Sequence, residues 1–202
     1  MNLLLLKQEL SQLHHNFGES ELAYLALTSK ADIPIRDRLA FQLQKRLSAD
    51  RQNLLCARDW RDIDIAIMKD FTNPSTFIVC KAGYTVDESA ANASMQGFYP
   101  RKLLSDMQKA KDLGQGNTNL LGVLFYTHLN KAVDAKLKYI VKYDNAINRA
   151  FAVEKEQQIA SQAVASVTNF WANHKIQNES GIIPAGVCWD IRVDIHFWVV
   201  SL

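Results

Sequence analysis

The sequence is poor in cysteine, and its cysteines do not form a recognisable framework. Cys56, Cys80 and Cys188 are far apart, odd in number and without a CxxC spacing. This pattern argues against a disulfide scaffold and against a cysteine zinc site, and it predicts a protein of the reducing cytoplasm. A hydrophobic fraction of 48% is ordinary for a globular protein and allows a sizeable core instead.

Long apolar runs are also missing. The leucine run Leu3–Leu6 is followed at once by Lys7, Gln8 and Glu9, so it has no secretory hydrophobic region. Nowhere do the roughly 18 consecutive apolar residues of a membrane helix occur. The sequence therefore predicts no membrane span.

The sequence also lacks a large excess of positive or negative charge. A formal net charge of +2 does not identify a nucleic-acid-binding protein by itself, so any such surface must come from local clustering. The candidate basic residues are Arg36, Arg38, Lys45 and Arg61. A charge-rich helix is also typical of a solvated face. No GxGxxG, P-loop, nucleophile elbow or HExxH motif occurs, so nucleotide-cofactor and serine-hydrolase functions have no support.

Apolar periodicity predicts an α/β protein in which residues 1–202 form one domain. The helices are predicted over 2–16, 19–28, 32–47, 99–113, 133–150 and 154–173. The strands are predicted over 62–69, 76–82, 120–127 and, as one strand or two, 187–200, with a loop over 178–186. This order predicts a mixed sheet with helices on both faces.

Two of the predicted strands place charge inside otherwise apolar runs. Because side chains alternate along a strand, Asp62 and Asp64 are expected on one face of the first, and Val79 and Lys81 on one face of the second. Phosphodiester hydrolysis uses a divalent ion held by carboxylates, and a nearby lysine orients water or stabilises negative charge. The hairpin therefore predicts a metal-dependent nuclease site.

These segments resemble the PD-(D/E)xK nuclease superfamily over roughly residues 19–88. The run 62–67 is similar to the aspartate strand of that superfamily, 81–85 to the segment after its lysine, and 21–43 to its early helices. The resemblance implies a restriction-endonuclease-like fold, with three α/β/α layers and a central mixed sheet. It also implies a Mg²⁺ cofactor, DNA as substrate, and catalytic roles for Glu21, Asp64 and Lys81, with Glu19 as the alternate helix acid.

One position departs from the superfamily motif. The acid two residues before Lys81 is replaced by Val79, which offers no oxygen ligand to a hard cation. Asp62, Asp87 or Glu88 is the candidate replacement, which makes Asp64, Asp62 and Glu88 the predicted metal ligands.

Two functions follow from this departure. The first is a Mg²⁺-dependent DNA phosphodiesterase, for which a homodimer would suit the cutting of a duplex. The alternative is a non-catalytic module of the same fold that binds DNA or a protein partner. An interaction domain unrelated to nucleic acid is a third reading that the near-neutral charge permits.

Each candidate residue also has a purely structural interpretation. Asp62 and Asp64 fit a strand-end pair that is hydrogen-bonded to a loop or an arginine. Lys81 fits a solvated edge of the sheet. Glu19 and Glu21 fit the first turn of a helix, where acidic side chains stabilise the dipole.

Overall fold

A mixed six-stranded sheet forms the centre of the protein in a computed structural model, which describes residues 1–114 and 118–202. Its spatial order is β1-β2-β3-β4-β6-β5, and β3 and β4 are the parallel pair. The other neighbouring strands are antiparallel. The strands are β1 (Leu55–Trp60), β2 (Ile63–Met68), β3 (Pro74–Tyr84), β4 (Asn119–Leu129), β5 (Asn178–Cys188) and β6 (Ile191–Ser201).

Helices cover both faces of this sheet. The described residues form α1 (Leu3–Ser11), α2 (Glu21–Thr28), α3 (Asp32–Ala49), α4 (Phe98–Leu113), α5 (Asp144–Phe151) and α6 (Glu156–Asn173). The leucines of α1 to α3 pack with Ile78 and Val123 on one face. Helices α4 and α6 pack with Phe77 and Leu124 on the other face. The predicted α/β class, mixed sheet and two-sided helical covering are confirmed.

The C-terminal half of the sheet is a hairpin whose first strand was predicted to be a loop. Trp189 and Asp190 both have positive φ, 51° and 59°, and form the two-residue turn between β5 and β6. The alternation over 187–200 therefore belongs mainly to β6. The loop prediction for 178–186 is wrong because β5 lies at the edge of the sheet, where a bulge between Pro184 and Gly186 breaks the alternating pattern.

Two further element predictions fail for local reasons. The helix predicted over 133–150 is reduced to a 3₁₀ turn, Ala135–Leu137, and to α5, because Tyr143 with φ 63° interrupts the helical path. β1 was not predicted because it is an edge strand without a buried face. The first predicted helix, 2–16, ends at Ser11 and is followed by a 3₁₀ turn over Leu13–Asn16.

The layer between α4 and the sheet depends on close approach at two glycines. Gly83 on β3 faces the rings of Tyr99 and Tyr126, and Gly122 on β4 faces Met107. These contacts bring α4 directly onto β3 and β4. None of the helices in the described ranges is sufficiently long and apolar to cross a bilayer.

The substitution Gly83→Ala is expected to destabilise the protein by about 1–3 kcal/mol, because overpacking forces a well-packed core to shift. A Cβ atom at Gly83 would lie 2.5 Å from Cδ2 of Tyr99 and 2.9 Å from Cε1 of Tyr126. Urea unfolding measures the loss. Gly18→Ala is the control, because its Cβ would meet the Glu21 side chain at an ordinary 3.4 Å. Equal midpoints for the two variants would contradict the proposed close packing.

Candidate functional site

β3 continues past the point where its pairing with β2 stops. The last paired residues at this end are Ile65 and Ile78, because β2 begins immediately after a tight turn from β1. The next amide of β3 that points towards β2 belongs to Cys80, and it donates a 2.8 Å hydrogen bond to Oδ2 of Asp64. The Asp64 carboxylate thus replaces the missing strand at this position.

The end of β2 and the unpaired edge of β3 form one wall of an open hollow, and α4 forms the other. The cavity has a volume of about 370 Å³. We call it the strand-end hollow. Its charged lining consists of Arg61, Asp62, Asp64, Lys81, Asp106 and Lys109, and its apolar lining of Ile63, Val79, Ala110 and Leu113. Asp64 and Lys81, which the sequence predicts to act together, line the same cavity.

The environment of Asp64 is partly buried and electrostatically mixed. Burial raises the pKa of this carboxyl above its ordinary value, while the Cys80 amide and the charges of Lys81 and Arg36 act in the opposite direction. Nη1 of Arg36 lies 3.8 Å from Oδ1 of Asp64. One oxygen of Asp64, Oδ2, therefore accepts a backbone hydrogen bond, and the other, Oδ1, faces Arg36.

Lys81 has a partner that the sequence reasoning missed. Its Nζ lies 3.0 Å from Oδ2 of Asp106, a residue of α4. Lys102 and Lys109 contact the other oxygen of Asp106 at 3.1 Å and 3.4 Å. Burial acts to raise the pKa of Asp106, but the hydrogen bonds from Lys81 and Lys102 outweigh it and lower the pKa.

A signal for Asp106 was present in the sequence. The predicted helix 99–113 has an apolar stripe that includes Leu103, Met107 and Ala110, and these residues are buried in the structure. Asp106 directly adjoins that stripe, where a carboxylate is partly removed from water and calls for a cationic partner. Only the packing of α4 across β3 shows that this partner is Lys81.

Asp62 and Arg61 also line the strand-end hollow, although they are not part of a strand. They form the two-residue turn between β1 and β2, with φ of 67° and 49°. The prediction that Asp62 shares a strand face with Asp64 is therefore wrong. Positive φ is costly for residues other than glycine and is often found at functional sites. Arg61 also lies 4.8 Å from the ring centroid of Trp60.

The structure does not bring Glu21 to this hollow. Glu21 opens α2, which packs against β5 at the opposite edge of the sheet from β2. Its carboxylate accepts hydrogen bonds from the Gly18 amide at 2.7 Å and from Arg38 at 3.1 Å. The Gly18 bond lowers the pKa of Glu21. Its position matches the first-turn interpretation.

Glu88 is also separate from the hollow. It is 2% exposed, and its carboxylate accepts hydrogen bonds from the Gly97 amide, the Tyr126 hydroxyl and Ser166 Oγ. These bonds join the chain after β3 to β4, to α6 and to the start of α4. Because its oxygens are already engaged, Glu88 is a structural carboxylate in this conformation, and the prediction that it replaces the acid missing at Val79 finds no support in its position.

Asp87 is turned towards the backbone of β3. Its Oδ2 accepts a 2.7 Å hydrogen bond from the Tyr84 amide. Burial raises the pKa of Asp87 to about 6, and the charge of Lys30 opposes this increase. Like Glu88, it is not among the residues that line the strand-end hollow.

The predicted basic surface is largely used in contacts within the protein. Arg36 pairs with Asp59 at 2.5 Å and with Asp37 at 2.9 Å, and its side chain is only 13% exposed. Lys45 lies over the ring of Phe41 at 5.7 Å. Together with the Arg38–Glu21 pair, these contacts leave Arg61 as the predicted phosphate-binding residue that faces the hollow.

Asp32, an acidic residue of the helix layer opposite α4, affects the pKa of Asp64. The charge of Asp32, the first residue of α3, contributes to the raised pKa of Asp64. Asp32 was not among the predicted catalytic residues. α3 packs against β1, β2 and β3, so Asp32 belongs to the helix that covers the Asp64 strand, whereas Glu21 does not.

The donor set of the hollow meets the requirements of Mg²⁺ only in part. Within residues 1–114 and 118–202, no three His, Cys, Asp or Glu side chains are grouped so that they hold a metal ion by themselves. Mg²⁺ is commonly held by one or two carboxylates together with water and substrate phosphate. Asp64 and Asp106 both line the cavity, so it contains the number of carboxylates that this incomplete type of site uses. They do not form a closed protein cage.

Comparisons with protein-family models, with curated proteins and with solved structures found no match to this chain.

The stability of the protein is expected to depend on pH through Asp87. Because burial raises its pKa from 3.8 to about 6, the folded state binds this proton more tightly than the unfolded chain does. The stabilisation is complete below about pH 4 and is lost as the pH rises through 6. The free energy of unfolding of wild type relative to Asp87→Asn should fall by up to about 3 kcal/mol between pH 4 and pH 7.

Asp70→Asn provides a control of opposite sign. Hydrogen bonds from Asn73 and Thr72 lower the pKa of Asp70 to about 2, so its contribution is present above about pH 4 and is lost on acidification. Urea unfolding at several pH values measures both effects. A wild-type to Asp87→Asn difference that is constant from pH 4 to pH 7 would contradict the assigned burial of Asp87.

Proposed function

We propose that the strand-end hollow is the active site of a Mg²⁺-dependent phosphodiesterase that acts on DNA, with Asp106 in place of the acid missing at Val79. One observation carries this proposal: Asp64, Lys81 and Asp106 line the same open cavity, and Lys81 and Asp106 are in direct contact. The replacement acid comes from α4, rather than from the strand or from Asp62, Asp87 or Glu88.

Five charged residues of the hollow have definite roles in this proposal. Asp64 and Asp106 are the carboxylates that hold Mg²⁺, which when bound polarises the phosphate and lowers the pKa of the attacking water. Lys81 orients that water and stabilises the negative charge that develops on the phosphate. Arg61 and Lys109 line the same cavity and attract the flanking phosphates. A homodimer would present a second hollow to the other strand of a duplex.

The ion pair between Lys81 and Asp106 sets the order of binding. Lys81 contacts one oxygen of Asp106, and Lys102 and Lys109 contact the other, so a cation must compete with three ammonium groups. A DNA phosphate that approaches the hollow gives these lysines another anionic partner. We therefore propose that the cation and DNA bind together and that the cation alone binds weakly.

The role of Asp106 is tested by removing its carboxylate and adding one at position 79. Asp106→Asn is expected to reduce Mg²⁺- or Mn²⁺-dependent plasmid nicking by at least about 100-fold, which is typical when a positioned catalytic group is lost. The double variant Val79→Glu with Asp106→Asn should recover nicking, because it returns a carboxylate to the hollow from the strand. Lys81→Ala should abolish nicking in either background.

The matched control for this exchange is Asp112→Asn. It makes the same chemical change on the same helix at an exposed position outside the hollow. Nicking should remain at the wild-type rate. Nicking by Asp106→Asn at the wild-type rate would overturn the assignment of Asp106, provided that circular dichroism shows the same unfolding midpoint.

Calorimetric titration with Mg²⁺ gives a readout that does not depend on activity. Without DNA, the wild type should show weak binding, and Lys81→Ala should bind more tightly because Oδ2 of Asp106 loses its ammonium partner while Lys102 and Lys109 still contact Oδ1. A phosphorothioate oligonucleotide, which resists cleavage, should increase the wild-type affinity. Equal weak binding in all three titrations would contradict the proposed metal site.

The second candidate function is a non-catalytic module of the same architecture that binds DNA or a protein partner. Val79 favours it, because this 4% exposed side chain presents an apolar surface where a ligand is expected. In this case neither metal binding nor nicking is observed, and Val79→Glu destabilises the protein without creating activity. DNA binding that does not change with Mg²⁺ would distinguish this module from the phosphodiesterase.

A further inference from the structure

A surface segment between β4 and α5 concentrates lysine and tyrosine. Within residues 131–143, four lysines stand against one acidic residue, Asp134, so this stretch carries a formal charge of +3, whereas the whole chain carries +2. We call it the lysine–tyrosine segment. Its cationic and aromatic residues are Lys131, Lys136, Lys138, Tyr139, Lys142 and Tyr143.

Both tyrosines are presented to solvent with a cation beside them. Tyr139 is 94% exposed and Tyr143 is 42% exposed. Nζ of Lys138 lies 5.6 Å from the ring centroid of Tyr139, and Nζ of Lys142 lies 5.5 Å from that of Tyr143. An aromatic ring that is almost completely exposed gains little from folding, so it is available for contact with a partner.

The ammonium groups of the segment are mostly without anionic partners. Lys136 lies 3.7 Å from Asp134. In the described part of the chain, no carboxylate forms an ion pair within 4 Å of Lys131, Lys138 or Lys142. This differs from the predicted basic residues of α3, where Arg36 and Arg38 are already paired with carboxylates.

The backbone of the segment is fixed although its lysines and Tyr139 are exposed. Leu137 and Val141 are buried in the core. The Val133 amide donates to Oδ1 of Asn148 at 2.7 Å, and the Asn148 side chain donates back to the Val133 carbonyl at 3.1 Å. The Lys142 amide donates to the carbonyl of Leu27 at 2.7 Å. A partner therefore meets a preorganised surface, which lowers the entropic cost of binding.

We propose that the lysine–tyrosine segment binds single-stranded nucleic acid. Bases stack on Tyr139 and Tyr143, and the intervening phosphates contact Lys138 and Lys142. Alternating aromatic rings and cations suit a single strand, because its bases are free to stack on side chains while its backbone needs neutralising charge. The bases of a duplex are already stacked on one another and do not offer their faces to a tyrosine.

The segment and the strand-end hollow lie on different faces of the sheet. The Tyr143 ring packs edge-on against Tyr84 at 5.3 Å, and Tyr84, Leu137 and Val141 belong to the core on the α1–α3 face, whereas Val79 and Lys81 line the hollow on the α4 face. Lys30, just after α2, has its Nζ 3.4 Å from the Tyr99 hydroxyl of α4, the helix that carries Asp106. Binding by the segment does not require cleavage.

The test is fluorescence anisotropy with a fluorescein-labelled oligothymidylate of about 15 nucleotides, which is near the upper site size of single-strand-binding folds. The buffer contains EDTA, so that the result is independent of any metal-dependent cleavage. Tyr139→Ala is expected to raise the Kd by about 5- to 150-fold, the range found when a stacking aromatic is removed. A plot of log K for association against log salt concentration has a negative slope. The double variant Lys138→Ala with Lys142→Ala should reduce the magnitude of this slope by about 1.4.

The hairpin turn between β2 and β3 provides the matched controls. Phe71 is 86% exposed, and Lys69 is exposed in the same turn at the opposite end of β3 from Tyr84. Phe71→Ala and Lys69→Ala should bind the oligothymidylate like the wild type. A blunt duplex of equal length should bind more weakly than the single strand and should not respond to Tyr139→Ala.

Three results would overturn the inference. The first is equal oligothymidylate affinity for Tyr139→Ala and Phe71→Ala. The second is a preference for the duplex. The third is binding to phosphatidylglycerol vesicles, but not to the oligonucleotide, with the same dependence on Tyr139, which would make the segment a membrane-contact surface. Loss of plasmid nicking has no bearing on these measurements, so the two proposals fail separately.

Discussion

The early end of β2 is the constraint on which the candidate site depends. β3 runs to Tyr84, but its pairing with β2 stops at Ile78, so the outer edge of β3 continues without a neighbouring strand on that side. A buried amide without a partner is costly, and the Asp64 carboxylate satisfies the one at Cys80. The same geometry leaves space beside Lys81, and α4 closes it from the other side to form the hollow.

Charge pairing explains why a protein with a small net charge can still have a chemically distinct cavity. Many of its arginines and acids neutralise one another on α3 and around β1, as in the contacts of Arg36 with Asp37 and Asp59. In the hollow, three acidic and three basic side chains share a smaller space. Burial acts to raise the pKa of both Asp64 and Asp106, and the neighbouring cations act in the opposite direction.

The predictable part of the site was the part encoded by neighbouring residues. The apolar runs around Asp64 and Lys81 correctly indicated adjacent strands with charge at one end, and both residues line one cavity. The contribution of Asp106 arises between elements that are distant in sequence, since α4 must cross β3 before its carboxylate reaches Lys81. The expectation that Glu21 lies near Asp64 and Lys81 was not met for the same reason. α2 packs on β5, and no local sequence pattern specifies which strand a helix covers.

The sequence by itself determined the α/β class, the helical covering of a mixed sheet and the positions of the two charged strands, because the spacing of apolar residues reports local periodicity. The edge strands β1 and β5 were not predicted, because β1 lacks a buried face and the bulge in β5 breaks its alternating pattern. Only the tertiary structure decided which carboxylates share a cavity with Lys81 and which arginines remain available. Those outcomes depend on long-range packing, where a partner is selected by proximity in space and by the cost of leaving charge unpaired.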